Sequence, residues 1–98
     1  MAQLIVVYWR DIPAQVIVKR GRATAKRQLA ERFEQAIDRA AMRANLRDTD
    51  SYLAEWRRAE PVDCGDDLEA EAATAALRLE TDYDEARLKQ LVDNGGKV

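Results

Sequence analysis

The sequence predicts a small α+β domain: an antiparallel β-sheet of two or three strands packed against two or three helices, in the order β-β-α-β-α(-α). Two short runs near the start, residues 3–10 and 15–20, are rich in β-branched and aromatic residues and therefore predict strands. Two later segments repeat apolar residues at helical spacing. The length of 98 residues allows one hydrophobic core without disulfides. A β-hairpin followed only by helices is the alternative fold.

The two opening strands are expected to form a hairpin. Residues 3–10 carry apolar side chains on both faces, which indicates a strand that is covered on both sides. Residues 11–14 are the expected connection, because Pro13 has no N–H to donate to a ladder. The returning strand spans residues 15–20 and ends at Gly21.

A long helix is predicted from Arg22 to about Asn45, since asparagine is typical of a helix C-terminus. The apolar stripe that predicts this helix consists of Leu29, Phe33, Ile37, Ala40, Ala41 and Ala44.

The segment from Tyr52 to Arg58 is compatible with two structures. As a strand it completes a three-stranded sheet, and this is the favoured prediction because a two-stranded hairpin makes a poor core. As a helix it would be capped by Asp50 or Ser51, and Tyr52 and Trp56 would be neighbours on one face.

The last third of the chain contains two helical stripes. Asp66 is the predicted N-cap of the helix that carries the first stripe, and Thr81 followed by Asp84 indicates a second helix start. One kinked helix and two separate helices both fit this pattern, which ends at residues 94–96. A single domain is expected to span residues 1–94, with residues 95–98 as a frayed tail.

The composition excludes several kinds of chemistry. The chain has no histidine, so the usual proton shuttle and the usual transition-metal ligand are absent. Its one cysteine, Cys64, lies in a predicted turn where neighbouring acids oppose a thiolate. The acidic residues Glu60, Asp63, Asp66 and Asp67 lack the spacing of an EF-hand. We therefore expect no enzyme activity, no cofactor and no metal site.

Basic and acidic residues are separated along the chain. Residues 1–47 carry a net charge of +6, and residues 48–98 carry a net charge of −8. Five cations lie within nine residues of the basic half: Lys19, Arg20, Arg22, Lys26 and Arg27. This basic cluster is a candidate site for an anionic ligand or nucleic acid. It contains no aromatic residue and only one glycine, so nucleic acid is the alternative partner and not the leading one.

Aromatic and arginine residues form the leading candidate site. One aromatic pair lies in the first strand and another in the ambiguous segment, and arginines flank both pairs. Such residues pack as core when they point inward and form docking hot spots when they point outward. The candidate partner-binding residues are Tyr8, Trp9, Arg10, Tyr52, Trp56, Arg57 and Arg58.

Three stretches carry a family resemblance. The run Leu4-Ile5-Val6-Val7-Tyr8-Trp9-Arg10-Asp11-Ile12-Pro13-Ala14-Gln15-Val16, the segment 52–57 and the segment 83–88 resemble the small bacterial proteins called virulence factors. The same domain resembles the C-terminal part of the conserved virulence factor C proteins. The resemblance covers nearly the whole chain and supplies no catalytic or cofactor residues. It implies an accessory role beside one-carbon or methyl-transfer enzymes.

Together these observations favour a non-enzymatic accessory or adaptor domain that binds a partner protein, and a homo-oligomer is compatible with them. No apolar run approaches the roughly 20 residues of a membrane span. A single cysteine without a targeting segment fits a reducing compartment. The sequence therefore predicts a cytoplasmic protein with a protein partner and no membrane.

Overall fold

The computed structural model describes residues 1–46 and 48–98. Within them the chain forms β1 (Ala2–Trp9), β2 (Ile12–Arg20), β3 (Ala23–Gln28), α1 (Glu31–Arg43), α2 (Thr49–Leu53), β4 (Trp56–Arg58), β5 (Val62–Cys64), α3 (Leu68–Asp82) and α4 (Glu85–Asp93). The α+β class is confirmed. The predicted number and order of strands are wrong, because these residues form five strands and four helices.

The sheet is antiparallel and is built around β1. Its order is β3-β2-β1, and the outer edge of β1 pairs with two short strands. β4 pairs with the C-terminal end of β1, where Trp56 is opposite Trp9. β5 pairs with the N-terminal end, where Cys64 is opposite Ala2. β1 is therefore a central strand, as its two apolar faces predict.

The first hairpin turns earlier than predicted. Arg10 adopts a left-handed conformation with φ of 54°, and β2 already begins at Ile12. Pro13 lies inside β2, opposite Tyr8 and not in a loop. The strand register shifts between Val7 and Tyr8, and such an irregularity is where a strand tolerates a proline that cannot donate to the ladder.

The third strand occupies residues that were predicted to begin a helix. β3 pairs with β2 along its whole length, from Ala23 opposite Arg20 to Gln28 opposite Gln15. Gly21, with φ of 59°, lies in the turn that connects the two strands. The helix itself begins only at Glu31, and it ends before Asn45, whose φ of 61° confirms the predicted stop.

The ambiguous segment divides between both predicted structures. Tyr52 lies in the short helix α2, and the strand β4 begins at Trp56. Cys64, which was predicted to lie in a turn, is part of a further strand, β5. Asp67, and not Asp66, caps α3 by accepting a hydrogen bond from the N–H of Ala70 at 3.2 Å.

Two separate helices end the chain. Asp84 caps α4 by accepting a hydrogen bond from the N–H of Arg87 at 2.9 Å. A frayed tail was expected from residue 95, but Gly95 and Gly96 are buried. The carbonyl of Gly96 accepts a hydrogen bond from the N–H of Asp11 at 2.8 Å. The segment after α4 therefore joins the first hairpin turn.

The helices cover the two faces of the sheet unequally. α3 packs across β2 and β3, on the face that carries Val16 and Val18, and its buried residues are alanines. α1 packs against α4 and the start of β2. On the opposite face, one row of cross-strand partners consists of Val7, Gln15 and Gln28. A groove lies between this row and α1.

Candidate functional site

The candidate site is the groove between α1 and the end of the sheet, with a volume of about 430 Å³. We call it the α1–sheet groove. It is lined by Val7, Ala14, Gln15, Gln28, Leu29, Glu34, Ile37, Asp38, Tyr52 and Trp56. Strands β1 to β4 and helices α1 and α2 all contribute to it, so the groove depends on the packing of these six elements.

Two aromatic rings in edge-to-face contact form one side of the groove. Tyr52 and Trp56 meet edge to face, with ring centroids 6.2 Å apart, and both are half-buried. The fully buried Trp9 lies behind them, with its ring centroid 5.8 Å from that of Tyr52. The indole N–H of Trp9 donates to the carbonyl of Tyr52 at 3.1 Å. The core therefore fixes the two rings before anything binds to them.

Two carboxylates line the groove from α1. Glu34 and Asp38 are exposed and lie four residues apart, on one face of the helix. Among the described residues, neither carboxylate has a basic side chain within 4.0 Å. Burial raises the pKa of the Tyr52 hydroxyl, and the charge of Asp38 and then of Glu34 raises it further. The negative charge of the groove carboxylates therefore reaches the Tyr52 hydroxyl.

The other four aromatic rings of the chain each lie beneath an arginine. Arg10 lies over Trp9, Arg32 over Phe33, Arg57 over Tyr8 and Arg87 over Tyr83, with distances from the guanidinium carbon to the ring centroid of 5.3, 4.9, 4.6 and 4.0 Å. Within the described residues, Tyr52 and Trp56 are the two rings without such a cation. Both of them line the groove.

The remaining lining residues provide an apolar base and amide groups. Leu29 and Ile37 are buried, and Val7 and Ala14 are half-buried beside them. Gln28 is more exposed than Gln15, and each carries an amide that can both donate and accept hydrogen bonds. The groove can therefore enclose an apolar side chain and pair with the polar groups of an extended segment.

The predicted partner-binding residues do not form one surface. Tyr52 and Trp56 meet in the groove, but Trp9 is wholly buried, so the expectation that it docks a partner is corrected. Arg10 also has a structural role. Its guanidinium donates to the carbonyl of Gly95 at 2.8 Å and to the carboxylate of Glu55 at 3.2 Å.

The other three predicted residues are divided between the two faces of the sheet. Tyr8 and Arg57 are cross-strand partners, and Tyr8 lies beside Tyr83 at the junction of α3 and α4. Arg58 is the cross-strand partner of Val7, so it belongs to the face that carries the groove. Strand alternation therefore separates residues that are adjacent in sequence.

The same alternation divides the basic cluster. Lys19 and Lys26 lie on one face of the β2–β3 hairpin, Arg20 and Arg27 lie on the other, and Arg22 lies in the turn. All five are exposed. The guanidinium of Arg20 also approaches the carboxylate of Asp66 at 3.9 Å. The candidate anion site is therefore a charged hairpin with cations on both faces and not a single patch.

Cys64 and the acidic residues around it do not form a metal site in the described part of the chain. Cys64 lies in β5, and burial followed by the charges of Glu71, Asp63 and Asp66 raises the pKa of its thiol. No three His, Cys, Asp or Glu side chains come together as metal ligands anywhere in residues 1–46 and 48–98. The opposition of the acids to a thiolate is as the sequence predicts.

Sequence reasoning identified the aromatic pair and missed the carboxylates opposite it. Glu34 and Asp38 resemble ordinary solvated charges on the outer face of an amphipathic helix. One signal was available. Neither residue has a lysine or arginine three or four positions away, and the two like charges at i and i+4 disfavour the helix slightly.

Comparison with known proteins gives one match. A family model described as "Virulence factor" matches residues 7–92 and so includes every residue that lines the groove. The comparisons with curated proteins and with solved structures each found no match. Within the described residues, each helix is too short or too polar to cross a bilayer.

Proposed function

The chain belongs to the virulence factor family, and from that premise we propose that it is a non-enzymatic accessory or adaptor domain that binds a partner protein through the α1–sheet groove. One observation carries the proposal. A half-buried Tyr–Trp pair, fixed from behind by the buried Trp9, faces an open groove. Tyrosine and tryptophan are enriched among the residues that dominate the energy of protein interfaces.

The rigidity of the aromatic pair also supports binding. Trp9 contacts the ring of Tyr52 and donates to its carbonyl, and Asp48 caps the short helix that carries Tyr52. A side chain that is already fixed loses little conformational entropy when a partner binds. The groove is thus suited to a segment that inserts one side chain between α1 and the aromatic rings.

The family resemblance supports a proposal for the class of partner. It implies an enzyme of one-carbon or methyl transfer, and we propose such an enzyme as the first partner to test, in the cytoplasm. The alternative, anion or nucleic-acid binding through the β2–β3 hairpin, is less well supported, because the five cations there are divided between two faces and a turn.

Site-specific photo-crosslinking in cells of the native host tests the proposal. A benzoylphenylalanine replaces Gln28, which lines the groove, or Leu77, which is 66% exposed on α3. We expect one discrete protein adduct from position 28 and none from position 77. We also expect the adduct to disappear when Trp56→Ala is added. No adduct from position 28, or the same adducts from both positions, contradicts the proposal.

A further inference from the structure

We propose that the α1–sheet groove takes an arginine side chain of the partner protein. This inference rests on the proposed function, because it names the chemistry of the segment that the groove binds. The groove combines two rings without an arginine and two carboxylates without a basic neighbour within 4.0 Å, in the described part of the chain.

Outside the groove, each aromatic ring is in contact with an arginine side chain. Four rings each carry a guanidinium at 4.0–5.3 Å, whereas Tyr52 and Trp56 carry none among the described residues. A cation over a ring face is favourable, and arginine forms this contact more often than lysine. The two groove rings therefore offer a surface that the chain's own described arginines do not cover.

The carboxylates that line the groove together with the rings supply the complementary charge. Glu34 and Asp38 are separated by one helical turn on α1 and both line the groove. A planar guanidinium can stack on a ring and pair with a carboxylate at the same time, because its donors lie in the plane of the group. A lysine ammonium has no such plane. This geometry is why we infer arginine in particular.

The apolar part of the groove fits the stem of the same side chain. Leu29, Ile37 and Val7 line the same groove as the charged groups and are buried or half-buried. Arginine buries its methylene groups along apolar surface and keeps its charged end near polar partners. An arginine side chain therefore matches the apolar lining, the rings and the carboxylates of the groove in chemical character.

Peptide titration of the full-length, ¹⁵N-labelled chain by NMR tests this inference. The probe is acetyl-Gly-Arg-Gly-amide, and the matched control replaces arginine with citrulline, which has the same shape but no charge. We expect the arginine peptide to shift the indole signal of Trp56 and the side-chain amide signal of Gln28. The indole signal of the buried Trp9 serves as the internal reference. A Kd on the order of 1 mM is expected for a single side chain.

Matched charge variants separate the groove from general electrostatics. We expect Glu34→Gln with Asp38→Asn to weaken arginine-peptide binding about tenfold, since each exposed charge pair is worth at most about fivefold. Glu60→Gln with Glu69→Gln removes the same net charge from exposed positions outside the groove and is expected to leave binding unchanged. Equal binding of the citrulline peptide, or equal weakening by both double variants, overturns the inference.

Two further results distinguish this inference from the proposed function. If the crosslink from position 28 is found but the arginine peptide does not bind, the groove docks a partner by other chemistry and only this inference fails. Arg47 follows α1 and precedes α2 in the sequence and lies outside the described residues, so the titration is repeated with Arg47→Gln. Binding that appears only in this variant means that the chain's own arginine occupies the groove, and it also overturns the inference.

Discussion

Gly96 lies against the ring of Trp9 so closely that a Cβ at position 96 would be 2.7 Å from Cζ3 of that ring. Gly96 has a φ of 92°, a conformation that other residues rarely adopt. Its N–H donates to the carbonyl of Leu91 at 2.6 Å. The backbone of the C-terminal segment therefore covers the same tryptophan that supports the aromatic pair of the groove from behind.

We expect Gly96→Ala to destabilise the fold strongly. The added methyl group must displace the buried Trp9 ring, and alanine must also adopt a positive φ. Overpacking and the left-handed backbone together cost roughly 2–4 kcal/mol. In a domain of this size such a loss lowers Tm by about 10–25 °C, measured by circular dichroism.

Gly21→Ala is the matched control for this prediction. Gly21 also has a positive φ, of 59°, but nothing lies within 4 Å of the Cβ that alanine would add. We expect Gly21→Ala to lose only the energy of placing alanine in a left-handed conformation, about 1–2 kcal/mol. Equal losses of Tm in the two variants would show that the contact with Trp9 contributes nothing.

Arg10 is expected to stabilise the domain and not to bind the partner. Its side chain is 13% exposed, and it joins the C-terminal segment at Gly95 to Glu55, the residue before β4. We expect Arg10→Gln to lower the free energy of unfolding by about 1–3 kcal/mol, since hydrogen bonds of a charged group are lost. Urea denaturation measures the change.

A double-mutant cycle with Glu55→Gln isolates the ion pair. Glu55 is about one third exposed on its side chain, so solvent screens its attraction to Arg10. We expect a coupling energy of less than about 1 kcal/mol, with most of the Arg10 effect arising from its bond to the Gly95 carbonyl. A crosslinked partner lost in Arg10→Gln while the fold keeps its full stability would assign Arg10 to docking instead.

The strand β3 was not predicted, because its residues carry no local strand signal. Its residues, Ala23–Gln28, include Ala, Lys, Arg and Gln, which all favour helices. Only Ala25 among them is buried, so an alternating pattern is nearly absent. Pairing with β2 after the turn at Gly21 overrides that preference, because strand formation depends on neighbours in space. By contrast, β1 and the two helical stripes of the last third have strong local signals, although the sequence left open whether the stripes form one helix or two.

The sequence indicated the aromatic residues of the candidate site but not its carboxylates, for a related reason. Tyr52 and Trp56 stand out by residue type, but only the helical alternative for this segment made them neighbours. Glu34 and Asp38 become significant only because α1 passes beside the row of Val7 and its cross-strand neighbours. That placement depends on the strand β3 and the early start of β2, neither of which local propensity indicates.

Cys64 is expected to react slowly with thiol reagents. Burial and the charges of Glu71, Asp63 and Asp66 raise the pKa of its thiol, so less of it is thiolate at neutral pH than in an ordinary cysteine. We expect the rate of iodoacetamide labelling at pH 8 to lie below that of glutathione. The rate should rise in Glu71→Gln, which removes a charge.

The choice of Glu71→Gln keeps the local structure. Glu71 accepts a hydrogen bond from the N–H of Gly65 at 3.0 Å, and the glutamine oxygen can accept the same bond. Glu69→Gln, an exposed charge on the same helix, is the control and should leave the rate unchanged. If both variants react at the parent rate, the acidic neighbours do not determine the reactivity of Cys64.

The ionisation of Tyr52 reports the field in the groove. Its pKa is raised by burial and by the carboxylates of Asp38 and Glu34. When the pKa of a tyrosine is higher in the folded than in the unfolded state, its contribution to stability is complete below the unfolded-state pKa of about 10. This contribution is lost as the pH rises through the folded-state pKa. We therefore expect stability to decline with alkaline titration, less steeply in Glu34→Gln with Asp38→Asn.

Ultraviolet absorbance of tyrosinate measures the pKa directly in a variant with Tyr8→Phe and Tyr83→Phe, in which Tyr52 is the remaining tyrosine. Adding Glu34→Gln with Asp38→Asn should lower the pKa of Tyr52, because two negative charges that oppose its ionisation are removed. Glu60→Gln with Glu69→Gln should leave it unchanged. An arginine side chain bound in the groove should also lower the pKa of Tyr52, since its positive charge stabilises tyrosinate. A pKa that stays constant in all of these experiments would show that the carboxylates and the aromatic pair do not share one electrostatic site.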